Sequence, residues 1–269
     1  MLIRLILTLY ISHLLCDFVF QKKYLLELRF KKHGKIIKKL RYSVLGNLIH
    51  SLMHFLCSLA LLYLLCFNIS FRNILLVSAS IAISHFIIDQ SKSIIIIMKS
   101  SFRNNIHVFI IDQIFHIISI ILFSELVLNQ SIYLDMFNSI TSVDKVLITI
   151  IVLLISTYGI GIFINKFIKY INIKKCEDYL YIKKNKGLSA YNGGFIVGVL
   201  ERIFILMVIA IGQPTMLVYV LTAKSIVRFK KLDDSRFAEY FLIGTFISFI
   251  GGIIGGIVLR YLNIIPIII

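Results

Sequence analysis

Apolar runs of roughly 20 residues recur along the whole chain, and about that length lets a helix cross the hydrocarbon core of a bilayer. Eight spans are expected, at roughly 2–20, 43–67, 73–96, 106–128, 145–169, 190–211, 214–230 and 239–262. The seventh is short, so a tilted or partly interfacial placement is expected for it. Backbone N–H and C=O groups must be paired inside lipid, which makes this an all-α chain, a polytopic membrane helical bundle of about eight transmembrane helices. Composition agrees. Of the 269 residues, 59% are hydrophobic and only two are proline, and the mean hydropathy of +0.93 is far above that of a soluble domain. The opening MLIRLILTLYISHLLCDFVF lacks a small-residue cleavage site and carries His13 and Asp17, so it reads as a retained first helix.

The formal charge of +16 would suggest nucleic acid in a soluble protein. Here the excess Lys and Arg fall between the apolar runs, where they set topology and meet anionic membrane lipids, so no nucleic-acid partner is expected. Loop 21–42, QKKYLLELRFKKHGKIIKKLRY, is expected to lie as an amphipathic segment on the membrane surface. The loops near 97–105, 170–189 and 229–238 are also basic, whereas 68–72, 129–144 and 212–213 carry few cations. That alternation places the basic loops in the cytoplasm and both termini outside, in a bacterial inner membrane. The polar segment 129–144 is expected to be an extracytoplasmic connection dividing a first half, 1–128, from a second, 145–269. Cys16, Cys57, Cys66 and Cys176 show no CxxC spacing and read as core fillers. The glycines of NGGFIVG and GGIIGG read as small-residue faces for close helix packing.

Four polar pairs interrupt the apolar runs. HLLCD puts His13 and Asp17 on the first helix, HSLMH puts His50 and His54 on the second, SHFIIDQ puts His85 and Asp89 on the third, and DQIFH puts Asp112 and His116 on the fourth. Each pair is spaced i, i+4, so its two side chains share one helical face and can converge on one ion. An Asp at the centre of a spanning helix costs about 2.5–3.5 kcal/mol on insertion scales, so such groups persist only with partners. An interhelical polar network would absorb one or two pairs. It would not need His and Asp on four consecutive helices.

Depth gives an independent check. At 1.5 Å per residue from the expected cytoplasmic boundaries, Asp17, His50, Asp89 and Asp112 fall roughly 5–12 Å deep, and His13, His54, His85 and His116 roughly 12–17 Å. Because the helices alternate in direction, the order within the pairs has to alternate, and it does. Five His and three Asp suit a borderline divalent metal, Zn first with Mn or Fe as alternatives, as one ion with carboxylates orienting its imidazoles or as two ions. Asp17 and Asp112 are the candidate general bases. Lys92 shares the face of His85 and Asp89, either as a lysine reaching the membrane edge or as a cation that holds an anionic substrate. His33 and His107, in or beside basic loops, are expected to be solvated. In the second half, Glu201 and Arg202 lie inside a span and Lys224 and Arg228 share a face, either as an internal ion-pair network or as a phosphate-binding rim.

At HLLCDFVFQ, SHFIIDQSK and DQIFH, and in the second half at GVLERIF, AKSIVRF and AEYFLIGTFIS, the chain resembles a bacterial membrane-protein family catalogued as domain of unknown function 3307. That resemblance carries no activity with it. More loosely, the first four helices are similar to membrane-bound metal-dependent hydrolases, which implies metal-assisted hydrolysis. The residues themselves lead to the same expectation, a hydrolase using one or two ions on a lipid or lipid-linked phosphoester or acyl substrate from the cytoplasmic side. The competing readings are a divalent-metal or proton-coupled carrier and a metal-stabilised sensor or interaction protein.

Overall fold

The structure, a computed structural model, describes residues 1–21, 23–31, 34–131, 140–171 and 193–262. Among the described residues every regular element is helical. They are α1 (Leu2–Leu14), continued by a π turn (Leu15–Val19), α2 (Lys23–Arg29), α3 (Ile36–Leu65), α4 (Phe71–Met98), α5 (Ile106–Leu128) and α6 (Ser142–Leu154). A second π turn (Ile155–Gly159) leads into α7 (Ile160–Ile171), followed by α8 (Gly193–Ala210), α9 (Leu217–Arg228) and α10 (Ser235–Tyr261). Among the described residues six stretches are long and apolar enough to cross a membrane: Leu2–Val19, Ile36–Leu65, Phe71–Met98, Ile106–Leu128, Ser142–Ile171 and Phe237–Tyr261. The protein is a polytopic helical membrane protein. The expected sixth and seventh spans correspond to α8, of 18 residues, and α9, of 12.

The chain divides into two compact units, Met1–Ile151 and Val152–Ile269. The division expected at 129–144 thus falls slightly later, inside α6, and residues 132–139 lie outside the described residues.

In the first unit α1, α3, α4 and α5 close a four-helix ring, and α2 packs on α3. The helices are inside-out relative to a soluble bundle. On α3, Leu45, Leu48, Leu52 and Leu56 face outward, about half exposed, while Asn47, His50, His54 and Ser58 are buried. Lipid solvates the leucines, and only the bundle interior can pair the polar groups. The ends of the ring are unlike. One is packed with Leu2, Leu5, Leu9, Leu62, Val77 and Ile120; the other holds the His and Asp pairs. Loops make the reversals with side-chain caps: Ser70 Oγ accepts from Asn73 N ahead of α4, and Asn105 Oδ1 from His107 N ahead of α5.

Segment 21–42 departs from the expected surface helix. Residues 23–29 form a short α2 that inserts Leu25 and Arg29 into the bundle, and α3 already begins at Ile36, well before the expected 43. Gly46 makes room for α2, because a Cβ there would lie 2.8 Å from Arg29 Cγ and 3.1 Å from its backbone N.

In the second unit α8 and α10 pack closely through GGIIGG. A Cβ on Gly252 would lie 2.8 Å from Ile205 Cγ2, and one on Gly256 would lie 2.5 Å from Ile209 Cβ. The NGGFIVG glycines behave otherwise. Gly194 has nothing within 4 Å, and Gly198 faces Arg202 on its own helix.

Candidate metal centre

The five imidazoles interlock at the end of the first unit opposite its apolar cluster. Ring centroids of His54 and His85 are 3.6 Å apart, those of His85 and His116 4.1 Å, and those of His13 and His116 4.9 Å. His50 lies against His54 at 4.7 Å. Every one of these rings is at most 2% exposed.

Asp17 is the hub. Its carboxylate oxygens lie 2.9 Å from Nε2 of His50, 3.2 Å from Nε2 of His54, 3.6 Å from Nε2 of His85 and 3.8 Å from Nε2 of His13. The π turn that carries Asp17 widens the end of α1 by one residue, with Phe20 N donating to Leu15 O, five residues back. Such turns recur at functional sites because they re-aim a side chain without ending the helix. His13, Asp17, His54 and His85 each offer a ligand atom, and all four atoms lie within 4.8 Å of one another. Two ligand atoms, each about 2.0–2.1 Å from a tetrahedral ion, stand roughly 3.3 Å apart, close to the contacts Asp17 makes here. The same four helices also bring together His50, His85 and Asp89, and Asp89, Asp112 and His116.

Around this group stand two cations, Lys92, which the sequence places on the face of His85 and Asp89, and Arg29, which it does not. Arg29 Nη2 is 2.5 Å from Asp89 Oδ2, with both side chains at most 3% exposed. Arg29 Nε donates to Asn47 Oδ1 at 2.6 Å, and Asn47 Nδ2 in turn donates to Gln90 Oε1 at 2.7 Å and to Ser93 Oγ at 3.1 Å. Lys92 Nζ donates to Asp112 Oδ2 at 2.6 Å and lies 3.7 Å from Asp89 Oδ1, so its charge is directed into the cluster and not toward the membrane edge. Gln21 Nε2 is 3.3 Å from His50 Nε2. Gln113 Nε2 donates to Asp17 Oδ2 and to Asp112 Oδ2, each at 3.4 Å.

The electrostatics follow. Asp89 and Asp112 each meet a cationic side chain, whereas Asp17 meets imidazoles and the Gln113 amide but no Arg or Lys. With the rings neutral, as ligation requires, the cluster holds three carboxylates against two cations and keeps one uncompensated negative charge. Nε2 of His85, Nε2 of His116 and Oδ1 of Asp112 are buried and make no hydrogen bond among the described residues. Each such group costs about 1–3 kcal/mol when nothing satisfies it. The donor set fits a divalent cation, and with the rings neutral the charge balance fits one as well. His85 Nδ1 lies 3.2 Å from Asp89 Oδ2, a carboxylate placed to orient the ring and leave Nε2 toward the cluster.

The other expected residues fall as follows. In the second unit Arg202 is buried, Lys224 Nζ donates to Glu201 Oε2 at 2.7 Å, and Arg228 is half-buried beside them. His107 is exposed, whereas His33 lies outside the described residues. Cys16, Cys57 and Cys66 are free thiols, and Cys176 is outside the described residues. Arg29, Asn47, Gln21 and Gln113 were missed. One signal for Arg29 was present: three Asp inside spans demand more cations than Lys92, and Leu25 and Arg29 share the buried face of a short helix.

No curated protein and no solved structure matches the chain. Residues 5–147 match the family described as Protein of unknown function (DUF3307). That stretch holds all eight His and Asp residues together with Arg29 and Lys92, while the second-half motifs lie beyond it. The match spans more than half of the chain and its entire polar centre, and the chain belongs to this family.

Proposed function

We propose that the first unit holds one divalent cation, Zn first with Mn or Fe as alternatives, on His13, Asp17, His54 and His85. The protein then acts as a metal-dependent membrane hydrolase on a lipid or lipid-linked phosphoester or acyl substrate from the cytoplasmic side. The observation that carries this reading is the convergence of four Nε2 atoms on Asp17 within 3.8 Å. One ion is favoured over two because Arg29 and Lys92 already supply positive charge at Asp89 and Asp112.

When bound, such an ion polarises a phosphoryl or acyl oxygen and activates water. The chain's own residues do the rest. Asp89, fixed by Arg29, sets the orientation of the His85 ring. Asp112 is the proton acceptor: Lys92 holds its Oδ2 and leaves Oδ1 unbonded. Asp17, whose side chain is 12% exposed, is the most accessible of the three carboxylates.

The opposite end of the bundle speaks for chemistry over transport. Beside its apolar cluster the one buried carboxylate among the described residues there, Asp144, is closed off by Arg4, Nε to Oδ1 at 3.2 Å. The hydroxyls of Thr8, Ser58 and Ser124 donate to carbonyls of their own helices. An ion leaving that way would meet several unsatisfied polar steps. In proteoliposomes we expect no metal flux, but metal-dependent, chelator-sensitive release of headgroup or phosphate from short-chain phospholipids and polyprenyl phosphate esters, lost in Asp112→Asn. Protein-dependent ion flux abolished by His85→Ala would overturn the hydrolase reading in favour of a carrier.

A further inference from the structure

The second unit contains a cavity of about 690 Å³ bordered by α7, α8, α9 and α10, within the size range of small-molecule sites. Deep in it lies Arg202, 3% exposed. Its Nε donates to Thr157 O at 3.0 Å, within the second π turn, and its Nη1 donates to Ser248 Oγ at 3.3 Å. Nη2 makes no hydrogen bond among the described residues. The adjacent carboxylate makes no hydrogen bond to it among the described residues, and Glu201 Oε2 receives Lys224 Nζ at 2.7 Å. The guanidinium thus hydrogen-bonds only neutral oxygens, and the one carboxylate whose charge it feels, Glu201, is already paired with Lys224, so one positive charge is left over, an arrangement that is costly unless an anion completes it.

The space around it is built by glycine. A Cβ on Gly161 would lie 2.9 Å from Arg202 Nη2, and a Cβ on Gly198 would lie 3.0 Å from Nη1. Thr245, also lining the cavity, offers a buried Oγ1 with no partner among the described residues. Arg228 lines the cavity as well and forms no ion pair among the described residues. The rest of the wall is largely apolar, with Ile164, Ile168, Val220, Val227 and Phe241 contributing.

We propose that this cavity binds an anionic amphiphile, its phosphate against Arg202 and Thr245 and its acyl chains along the apolar wall. Guanidinium N–H groups match phosphate oxygens in pairs, and basic pockets between membrane helices are the usual seats of acidic headgroups. The proposal stands on the second unit alone and does not depend on the metal centre.

The test is saturable binding to the full-length, delipidated protein in detergent with chelator present, so that the metal reading does not enter. The probes are dioctanoyl phosphatidic acid, dioctanoyl phosphatidylcholine and inorganic phosphate. Phosphatidic acid should bind one per chain, and Arg202→Gln should weaken it about tenfold, the loss of one charge-assisted contact. Thr245→Val and Arg228→Gln should weaken it less, with Lys38→Gln unchanged. If Arg202→Gln does not fold, Thr245→Val and Arg228→Gln decide. Equal binding of phosphatidylcholine would leave only an apolar groove, and equal binding of inorganic phosphate would leave a free-anion site. Either result, or phosphatidic acid binding that none of the variants at Arg202, Thr245 and Arg228 alters, overturns the proposal.

Discussion

In the first unit Asp89 meets Arg29 and Asp112 meets Lys92, while the third carboxylate, Asp17, faces imidazoles and an amide but no Arg or Lys. In the second unit Glu201 meets Lys224, while Arg202 faces only a carbonyl and a hydroxyl. Both centres are built the same way, with a π turn in an apolar helix, glycines that admit a long cationic side chain, and an ion pair that closes part of the charge. Their deficits are opposite. With its imidazoles neutral the first lacks a positive charge, and it is rich in potential metal ligands; the second lacks a negative charge and has a cavity beside the charge that is left over. A buried charge kept without a counter-ion is expensive, so each deficit indicates the sign of what the site receives.

The comparison is tested most severely by removing the two buried arginines. Arg29→Ala strands Asp89 in the bundle and should cost about 3–5 kcal/mol, the usual penalty for breaking a buried pair. Arg202→Ala leaves no buried carboxylate behind, only the Thr157 carbonyl and Ser248 hydroxyl, so its cost should be smaller, about 1–3 kcal/mol. Unfolding in detergent, followed by circular dichroism, measures both. Adding Asp89→Asn to Arg29→Ala should recover part of the loss. Equal costs for the two arginines, with no recovery, would mean that Arg29 is not held by the charge of Asp89.

A smaller effect separates the glycines. In Gly46→Ala the new methyl meets the Arg29 side chain at 2.8 Å and its backbone N at 3.1 Å, and the backbone cannot give way cheaply. The expected loss is about 1–3 kcal/mol. Gly194→Ala adds a methyl to open space in a helix, and should be neutral or stabilising by up to about 1 kcal/mol. A neutral Gly46→Ala would show that α2 is not seated tightly against α3.

Much of the first centre was legible in the sequence because it is written in helical period. Four i, i+4 pairs whose order alternates with helix direction can meet at one depth, and the structure brings all eight residues into one cluster at one end of the bundle. The inserted α2 was not legible. A segment as basic as 21–42 has the composition of a surface helix, and what draws Arg29 inward is a charge on another helix, Asp89, that local pattern does not show. The π turns escaped for a related reason: they depend on which carbonyl an N–H selects, and LCDFV and ISTYG differ little in composition from neighbouring α-helical turns. In the second half the sequence shows Glu201 and Arg202 inside a span, where they demand partners, and Lys224 and Arg228 on one face, but pairing is a three-dimensional fact. Only the structure shows that Lys224 takes Glu201 and leaves Arg202 over.

The central claim is that the first unit keeps one negative charge, and the ligand geometry, for one cation. Elemental analysis of the purified full-length protein tests it directly. The expected result is about one divalent ion per chain, falling to a small fraction in His85→Ala and His54→Ala and unchanged in His107→Ala, whose ring is exposed. Metal-free protein after purification and reloading with Zn, or a stoichiometry that His85→Ala and His54→Ala leave untouched, would contradict it.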